Sequence, residues 1–199
     1  LREEKKQSAM DRRNNKLAVF FPGIGYTADK PLMHYSRKIA ALAGYDIKLL
    51  PYAGFPEKIQ GNKERMQESF QIALSQSEEM LADVNLVDYD ELLFIGKSVG
   101  TIVAAAIAAW IQKPVRFVLY TPLEETFGFP ISDVIVFTGG DDPWTGKEKS
   151  RISELCRERN IPCTVIPHAN HSLETNNVQA DIAALQMVMK QTEDFIRHR

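Results

Sequence analysis

The sequence predicts an α/β fold in a single domain, with a mostly parallel sheet of about six strands flanked by helices on both faces. At 199 residues the chain has ordinary single-domain length, and its 44% hydrophobic and 25% charged residues are typical of a compact globular protein. Short apolar runs alternate with longer segments of helical period, which is the pattern of strand–helix–strand units. The predicted strands are residues 17–21, 45–50, 91–95, 115–120, 133–138 and 163–167.

Apolar residues recur at intervals of three and four in four other segments, which predicts amphipathic helices. These segments are residues 32–42, 66–81, 152–156 and 178–195. The predicted buried stripes of the first and last helices are Leu32, Tyr35, Ile39 and Leu42, and Ile182, Leu185, Val188 and Met189. A fifth segment, residues 101–111, is apolar nearly all round, so it predicts a helix that is buried on several faces.

Composition excludes several classes of protein. The net charge of −2 gives no global field for nucleic acid, and the longest apolar run, residues 102–111, is too short to span a membrane. Residues 1–16 form a polar extension without the apolar core of a secretory signal, so the predicted domain is residues 17–199 and the expected location is cytoplasmic. Cys156 and Cys163 match no common metal or redox motif and are expected to be buried thiols.

The step Gly96-Lys97-Ser98 follows an apolar run directly and allows two interpretations. A phosphate-binding loop would need the pattern G-x-x-x-x-G-K-[ST], but Glu91 stands where its first glycine belongs and strand-like residues follow. The alternative is a Gly-x-Ser-x-Gly nucleophile turn ending at Gly100, which requires a strand before it and a helix after it. Both flanks are predicted here, and they favour the second interpretation of a motif that is weak by itself.

A serine hydroxyl becomes a good nucleophile only when a base takes its proton and a carboxylate orients that base. Asp141 and Asp142 follow the fifth predicted strand, whereas His168 and His171 follow the sixth. Because the carboxyl ends of parallel strands meet at one edge of a sheet, these side chains are expected near Ser98. The other two histidines, in the first helix and at the end of the last one, are expected on the surface.

These features together resemble the α/β-hydrolase superfamily over residues 17–199, and in particular small, lidless serine hydrolases of the dienelactone-hydrolase-like or carboxylesterase kind. The acid of that family sits in a G-x-x-D-P turn, which implies Asp142, with Asp141 as the alternative. The family's histidine precedes a small or apolar pair, which implies His171 rather than His168. The resemblance also implies that the first two family strands are missing and that residues 121–132 are too short for a lid.

The same resemblance implies the surroundings of the serine. The amide of Val99, with that of Ile24 or Gly25, would form an oxyanion hole, and Pro22 replaces the histidine of the family's His-Gly-x-x-Gly element. Lys97, which precedes the serine in the nucleophile turn, is expected to face solvent, with recognition of an anionic acyl group as the alternative. The aromatic residues available to form an apolar substrate wall are Tyr26, Phe55, Phe127, Phe129 and Trp144.

The sequence therefore predicts a carboxylic-ester hydrolase that acts on a small-molecule acyl substrate through Ser98, His171 and Asp142 and an acyl-enzyme intermediate. No cofactor, metal, nucleic-acid partner or membrane span is expected. Thioesterase and peptidase chemistry would use the same residues, and both stay open. A hydrolase-fold binding module without catalysis is the remaining alternative.

Overall fold

The computed structural model describes residues 15–145 and 150–198, and six parallel strands form one sheet at their centre. The strands are β1 (Lys16–Phe21), β2 (Asp46–Leu49), β3 (Glu91–Lys97), β4 (Arg116–Tyr120), β5 (Val134–Gly139) and β6 (Cys163–Ile166). Their order in the sheet is β2-β1-β3-β4-β5-β6, and every neighbouring pair is parallel. All six predicted strands are confirmed, with boundaries that differ by one or two residues.

In the described part of the chain, four α-helices connect strands and a fifth follows β6. They are α1 (Pro31–Leu42), α2 (Lys63–Leu81), α3 (Val99–Ile111), α4 (Arg151–Glu158) and α5 (Val178–Arg197), with short 3-10 turns at Leu86–Asp88, Glu124–Gly128 and Pro143–Thr145. The two longest helices begin at asparagine caps, whose side-chain oxygens accept hydrogen bonds at 3.0 Å from backbone amides of the first turn. Pro31 begins α1, a position where its missing N–H has no helical partner to lose.

Apolar side chains project from both faces of the sheet, so the core has two layers. Along β1, Leu17, Val19 and Phe21 pack on the side covered by α2, α3 and α4. Ala18 and Phe20 point to the opposite side, which α1 and α5 cover. A sheet that is buried on both faces explains why its strands are apolar runs without strict alternation.

The first helix forms where it was predicted, but its predicted stripe is right only in part. Leu32 is buried as predicted, whereas Tyr35 and Leu42 are 45% and 75% exposed. The other buried residues of α1 are Met33, Ser36 and Ala40. Ser36 is buried because its hydroxyl bonds to the Leu32 carbonyl and, at 2.8 Å, to the hydroxyl of Tyr120 on β4. A serine satisfied in this way belongs to the core, which an apolar count does not reveal.

The last helix departs from its prediction for the same reason. Val188 is buried as predicted, but Ile182 is 56% exposed, and the other buried residues of α5 are Thr192 and Ile196. The Thr192 hydroxyl lies 2.8 Å from that of Tyr120, so this tyrosine joins α5 to α1 across the sheet face. The buried stripe of α5 is therefore partly polar.

Two predictions concern the ends and connections of the domain. The predicted polar extension lies outside the described residues except for residues 15 and 16, and β1 already begins at Lys16. Between β4 and β5, at the position of the family's lid, residues 121–133 are all described and contain a single 3-10 turn, Glu124–Gly128. No additional helical layer covers the sheet edge at that point of the described chain.

Candidate active site

Ser98 occupies a sharp turn between β3 and α3. Its backbone has φ +54° and ψ −125°, a conformation that L-residues rarely adopt, and its side chain lies at the first turn of α3. The backbone N–H of Ser98 donates to the Tyr120 carbonyl at 3.1 Å, which ties the turn to the neighbouring strand. The predicted strand, turn and helix around the serine are therefore all present.

The glycines of this turn allow the close approach of neighbouring backbone. A Cβ at Gly100 would lie 2.1 Å from the Phe21 carbonyl oxygen, and one at Gly96 would lie 2.9 Å from the Thr101 Cα. Real Cβ atoms are not found at such distances from backbone atoms, so no larger residue fits without displacement. The turn therefore depends on both glycines for steric reasons.

We expect Gly100→Ala to lower the free energy of unfolding by about 3 kcal/mol, because the new methyl group meets fixed backbone of β1. Urea denaturation followed by circular dichroism measures this change. Gly128→Ala is the matched control, since a Cβ there meets nothing within 4 Å. A Gly100→Ala protein as stable as that control would contradict the packing described for the turn.

The histidine and the acid come from loops that follow β6 and β5. The His171 Nε2 atom lies 2.8 Å from the Ser98 Oγ, and its Nδ1 atom lies 2.7 Å from the Asp142 Oδ2. The Asp142 carboxylate accepts from Nδ1–H, which leaves Nε2 as the acceptor for the serine hydroxyl. Ser98, His171 and Asp142 thus form one continuous hydrogen-bonded series.

Asp142 is held in place on both carboxylate oxygens. Its Oδ1 accepts from the Trp144 backbone N–H at 2.9 Å while its Oδ2 accepts from His171, and the side chain is 1% exposed. Gly139, at the end of β5, permits this arrangement, because a Cβ there would lie 2.3 Å from the Ala169 carbonyl oxygen. The two loops that carry the acid and the histidine are therefore packed directly against each other.

The alternative pair, Asp141 and His168, lies beside this series on the surface. The His168 Nδ1 atom is 3.4 Å from the Asp141 Oδ2, and the two side chains are 87% and 44% exposed. Of the two aspartates and two histidines that the sequence offered, the structure brings Asp142 and His171 to the serine.

Burial and neighbouring charge act on the pKa of His171. Desolvation lowers the pKa below the usual 6.5, the hydrogen bond and charge of Asp142 oppose this, and the charge of Lys97 adds to the lowering. The indole of Trp144 stacks on the imidazole with ring centroids 5.2 Å apart and 29° between the planes. The result is an imidazole that is uncharged at neutral pH and fixed in orientation.

The β1–α1 loop, residues 22–30, approaches the serine from the other side. A Cβ at Gly23 would lie 3.2 Å from the Ser98 Cβ, so the loop backbone passes next to the serine side chain. The turn is closed by a bond from the Tyr26 N–H to the Gly23 carbonyl at 3.2 Å, and it carries Ile24 and Gly25. Val99 is the first residue of α3. The three residues predicted for an oxyanion hole thus belong to the two segments that flank Ser98.

Lys97 does not face solvent, so that expectation is wrong. The residue is 1% exposed, and its ammonium lies 5.0 Å from the centre of the Tyr26 ring. Its strand position explains this, because Lys97 pairs in register with the buried Tyr120 of β4 on the face covered by α1 and α5. Apolar–polar alternation could not predict this, because it does not apply to a strand that is buried on both faces.

An apolar cavity of about 890 Å³ opens beside Trp144. Its walls come from the segment before α2, from α2 itself, from α3 and from the connection between β4 and β5. The lining includes Ile59, Met66, Phe70, Ile102, Leu123 and Phe129. Of these six residues only Phe129 was proposed for a substrate wall from the sequence, and a long irregular segment, residues 50–62, brings Ile59 to the site. Sequence reasoning missed most of this wall because side chains from distant segments form it.

The aromatic residues proposed for a substrate wall lie in different places. Trp144 and Phe129 line the large cavity, whereas Tyr26 lines a separate cavity of about 180 Å³ between the β1–α1 loop and α5. Phe127 is 2% exposed within the core. Phe55 is half-buried and packs edge-on against Tyr52, with ring centroids 6.2 Å apart.

Within residues 15–145 and 150–198, no three His, Cys, Asp or Glu side chains are grouped so that they could hold a metal ion. None of the described helices combines the length and the apolar character that a membrane crossing requires. Cys156 is buried and Cys163 is half-buried, and both are free thiols.

Comparison with solved structures places the fold. The Pyrococcus furiosus esterase matches 94% of this chain and 84% of its own with a TM-score of 0.62 and 13% identity. An α/β serine hydrolase homologue from Coxiella burnetii matches 90% and 85% with a TM-score of 0.60 and 16% identity. A lidless serine hydrolase from Xanthomonas campestris matches 89% and 82% with a TM-score of 0.53 and 12% identity. No protein-family model and no curated protein sequence matches the chain.

The chain therefore has the α/β-hydrolase fold, in the compact six-stranded form. Its structural neighbours are small α/β hydrolases that include an esterase and a serine hydrolase without a lid.

Proposed function

We propose that the protein is a serine hydrolase that cleaves carboxylic esters through an acyl-enzyme intermediate. The observation that carries this proposal is the series of hydrogen bonds from Ser98 through His171 to Asp142, with lengths of 2.8 and 2.7 Å. A nucleophile, a base and an orienting carboxylate within hydrogen-bond reach of one another are the requirement for this chemistry. The likeness to the Pyrococcus furiosus esterase supports the same class of reaction.

In the proposed reaction, the Ser98 Oγ attacks the ester carbonyl carbon while His171 Nε2 takes the hydroxyl proton. Asp142 stabilises the imidazolium that forms and keeps its Nδ1–H directed at the carboxylate. The imidazolium then gives its proton to the departing alcohol, which leaves the acyl group on the serine. Water, deprotonated by the same imidazole, releases the acid and restores the free serine.

The negative oxygen of the tetrahedral intermediate needs hydrogen-bond donors. We assign this role to the backbone amide of Val99, at the positive end of α3, and to an amide of Ile24 or Gly25 in the β1–α1 loop. The contact between Gly23 and Ser98 supports the second assignment, because it brings that loop beside the reacting atom. Preorganised donors of this kind contribute on the order of 100- to 1000-fold each to kcat.

The large cavity suggests what the substrate is like. Its lining is mostly apolar, and Trp144 connects it to the imidazole of His171. An ester with an apolar acyl or alcohol group of moderate size would bury that group here, at roughly 25 cal/mol per Å² of apolar surface. Thioesters and peptides would be attacked by the same residues.

A substrate panel tests the proposal. Steady-state hydrolysis of p-nitrophenyl esters of graded acyl length, acyl thioesters and a short chromogenic peptide is measured at equal concentration. The proposal predicts the highest kcat/KM for an ester. A preference for the thioester or the peptide would retain the serine mechanism but reject the ester as substrate. No turnover of any of the three would reject the proposal that the protein is a hydrolase.

The proposal also predicts the acid limb of the pH profile. The base must be neutral, and desolvation lowers the pKa of His171 below 6.5, so kcat/KM should stay high as the pH falls to that value. Below the pKa of His171 the rate should fall about tenfold per pH unit as the imidazole takes a proton. Measurement of kcat/KM between pH 4.5 and 7 gives the midpoint. A midpoint above 6.5 would contradict the environment described for the histidine.

A further inference from the structure

Lys97 lies between the two segments that flank Ser98, and its side chain touches the β1–α1 loop at both ends of the tight turn. A Cβ at Gly23 would lie 3.3 Å from the Lys97 Cγ, so the aliphatic stem runs directly under that residue. The ammonium at the other end of the side chain lies 5.0 Å from the centre of the Tyr26 ring. Lys97 therefore spans the turn that carries Ile24 and Gly25.

Tyr26 connects this contact to the rest of the fold. Its N–H donates to the Gly23 carbonyl at 3.2 Å and closes the turn, and its hydroxyl accepts from the Leu32 N–H at 3.2 Å at the start of α1. A displacement of the Tyr26 ring would therefore move the backbone of the turn as well. The ring has one face directed at the Lys97 ammonium.

A buried ammonium at this position is costly. The side chain is 1% exposed, and among the described residues no carboxylate lies within salt-bridge distance of its nitrogen. A methionine has nearly the same shape and would fill the space without any charge to desolvate. A cation retained at such a cost, one residue before the nucleophile, points to a role in the reaction rather than in folding.

We infer that Lys97 is a positioning residue: its ammonium holds the Tyr26 ring, and with it the turn that donates the second oxyanion amide, in register with Ser98. This inference rests on the proposed function, because it explains how the turn at Ser98 is coupled to the β1–α1 loop that supplies the second oxyanion amide. Lys97 acts on the β1–α1 loop through Tyr26, and its charge also lowers the pKa of His171. Its replacement should therefore affect the transition state more than substrate binding.

The charge of Lys97 depends on pH in the working range. Burial lowers the pKa of Lys97 to about 7, and the carboxylate of Asp142 partly opposes this. The titratable groups near this contact are the imidazole of His171, the phenol of Tyr26, the phenol of Tyr120, which is the register partner of Lys97, and the carboxylate of Glu174, whose charge acts on Tyr26. Burial raises the pKa of both phenols, that of Tyr26 to about 12. Because the phenols stay neutral, they supply no negative charge that would hold the proton on Lys97. The ammonium therefore loses its proton as the pH rises through about 7.

The test compares Lys97→Met with the wild type and with Lys190→Met, which removes an exposed lysine on α5. We expect kcat of Lys97→Met on the best ester to fall on the order of 100-fold, with KM within about threefold, because a small displacement of a donor has an effect of this size. Its acid limb should move to higher pH, since the charge that lowers the pKa of His171 is gone. The kcat of the wild type should fall as the pH rises through about 7, and that of Lys97→Met should not. Lys190→Met should match the wild type in all three.

Stability separates this role from a structural one. A methionine removes the desolvation cost, so Lys97→Met should unfold at a urea concentration equal to or above that of the wild type. A lysine needed only for folding would give the reverse pattern, with lower stability and an unchanged kcat. Equal kcat in the wild type and in a folded Lys97→Met would overturn the inference.

Tyr26→Leu tests the same contact from the loop and keeps the question open to experiment if Lys97→Met does not fold. Its kcat should fall to a similar extent, and in the double variant the two effects should not multiply. Independent, multiplicative effects would overturn the inference. If the wild type itself neither hydrolyses esters nor reacts with a fluorophosphonate, the proposed function fails. If the wild type reacts and the variants react equally fast, only the role of Lys97 fails.

Discussion

Ser98→Ala is expected to lower kcat for the best ester on the order of 10⁶-fold, to the level supported by binding and oxyanion stabilisation alone. The reason is that no covalent intermediate forms without the Ser98 Oγ, which lies 2.8 Å from the base that activates it. The loss should appear in kcat rather than in KM, because the methyl group leaves the apolar cavity unchanged. Steady-state kinetics on purified protein measures it, with active-site titration to exclude wild-type contamination.

Ser153→Ala on α4 is the matched control. The Ser153 hydroxyl bonds to the Ser150 carbonyl at 2.7 Å and has no part in the proposed site, so its removal should leave kcat unchanged. Circular dichroism of Ser98→Ala checks that the fold is intact. Hydrolysis by a folded Ser98→Ala protein at more than about a hundredth of the wild-type rate would show that another residue is the nucleophile.

Asp142→Asn is expected to lower kcat about 10⁴-fold at neutral pH. The amide of asparagine has the volume of the carboxylate, but it cannot stabilise an imidazolium and allows the wrong tautomer of His171. Because the side chain is 1% exposed, water does not replace the lost charge. Rate measurements over a range of pH quantify the loss.

Asp141→Asn provides the comparison that the sequence itself suggested. Its carboxylate pairs with His168 on the surface, where the side chain is 44% exposed, and the variant should keep kcat within about twofold. A larger loss in Asp141→Asn than in Asp142→Asn would reverse the assignment of the acid. The two variants differ by one position and carry the same change of charge.

The sheet was predictable because a strand that is buried on both faces is a short apolar run with clear ends. The serine, acid and histidine could be chosen from their places after the third, fifth and sixth strands. Such positions depend on local sequence alone. The edge of the sheet then brings them together whatever the intervening helices do.

The helix faces were harder to predict because buried polar residues are satisfied by partners that are distant in sequence. Ser36 and Thr192 are buried through one hydroxyl, that of Tyr120 on β4, and no local pattern contains that contact. Apolar periodicity instead places Tyr35 and Leu42 in the core, although both are exposed. The same periodicity located these helices correctly but predicted only part of their buried faces, such as Leu32 and Val188.

The surroundings of the serine were predictable only in part. Lys97 was expected in solvent because lysine is almost never buried alone, and its partner Tyr26 lies in a loop with no periodic pattern. The large cavity likewise depends on Ile59, which an irregular segment carries to Trp144. Contacts between irregular segments are set by the whole fold, so the sequence around each residue does not encode them.

The central claim is that Ser98 is a nucleophile activated by His171 and Asp142. Its most direct test is reaction of the folded wild-type protein with a fluorophosphonate, followed by proteolysis and mass spectrometry of the modified peptide. The account predicts one adduct per chain, located on Ser98, which disappears in Ser98→Ala and forms far more slowly in Asp142→Asn. Absence of an adduct in folded wild-type protein, or an adduct that persists in Ser98→Ala, would contradict it.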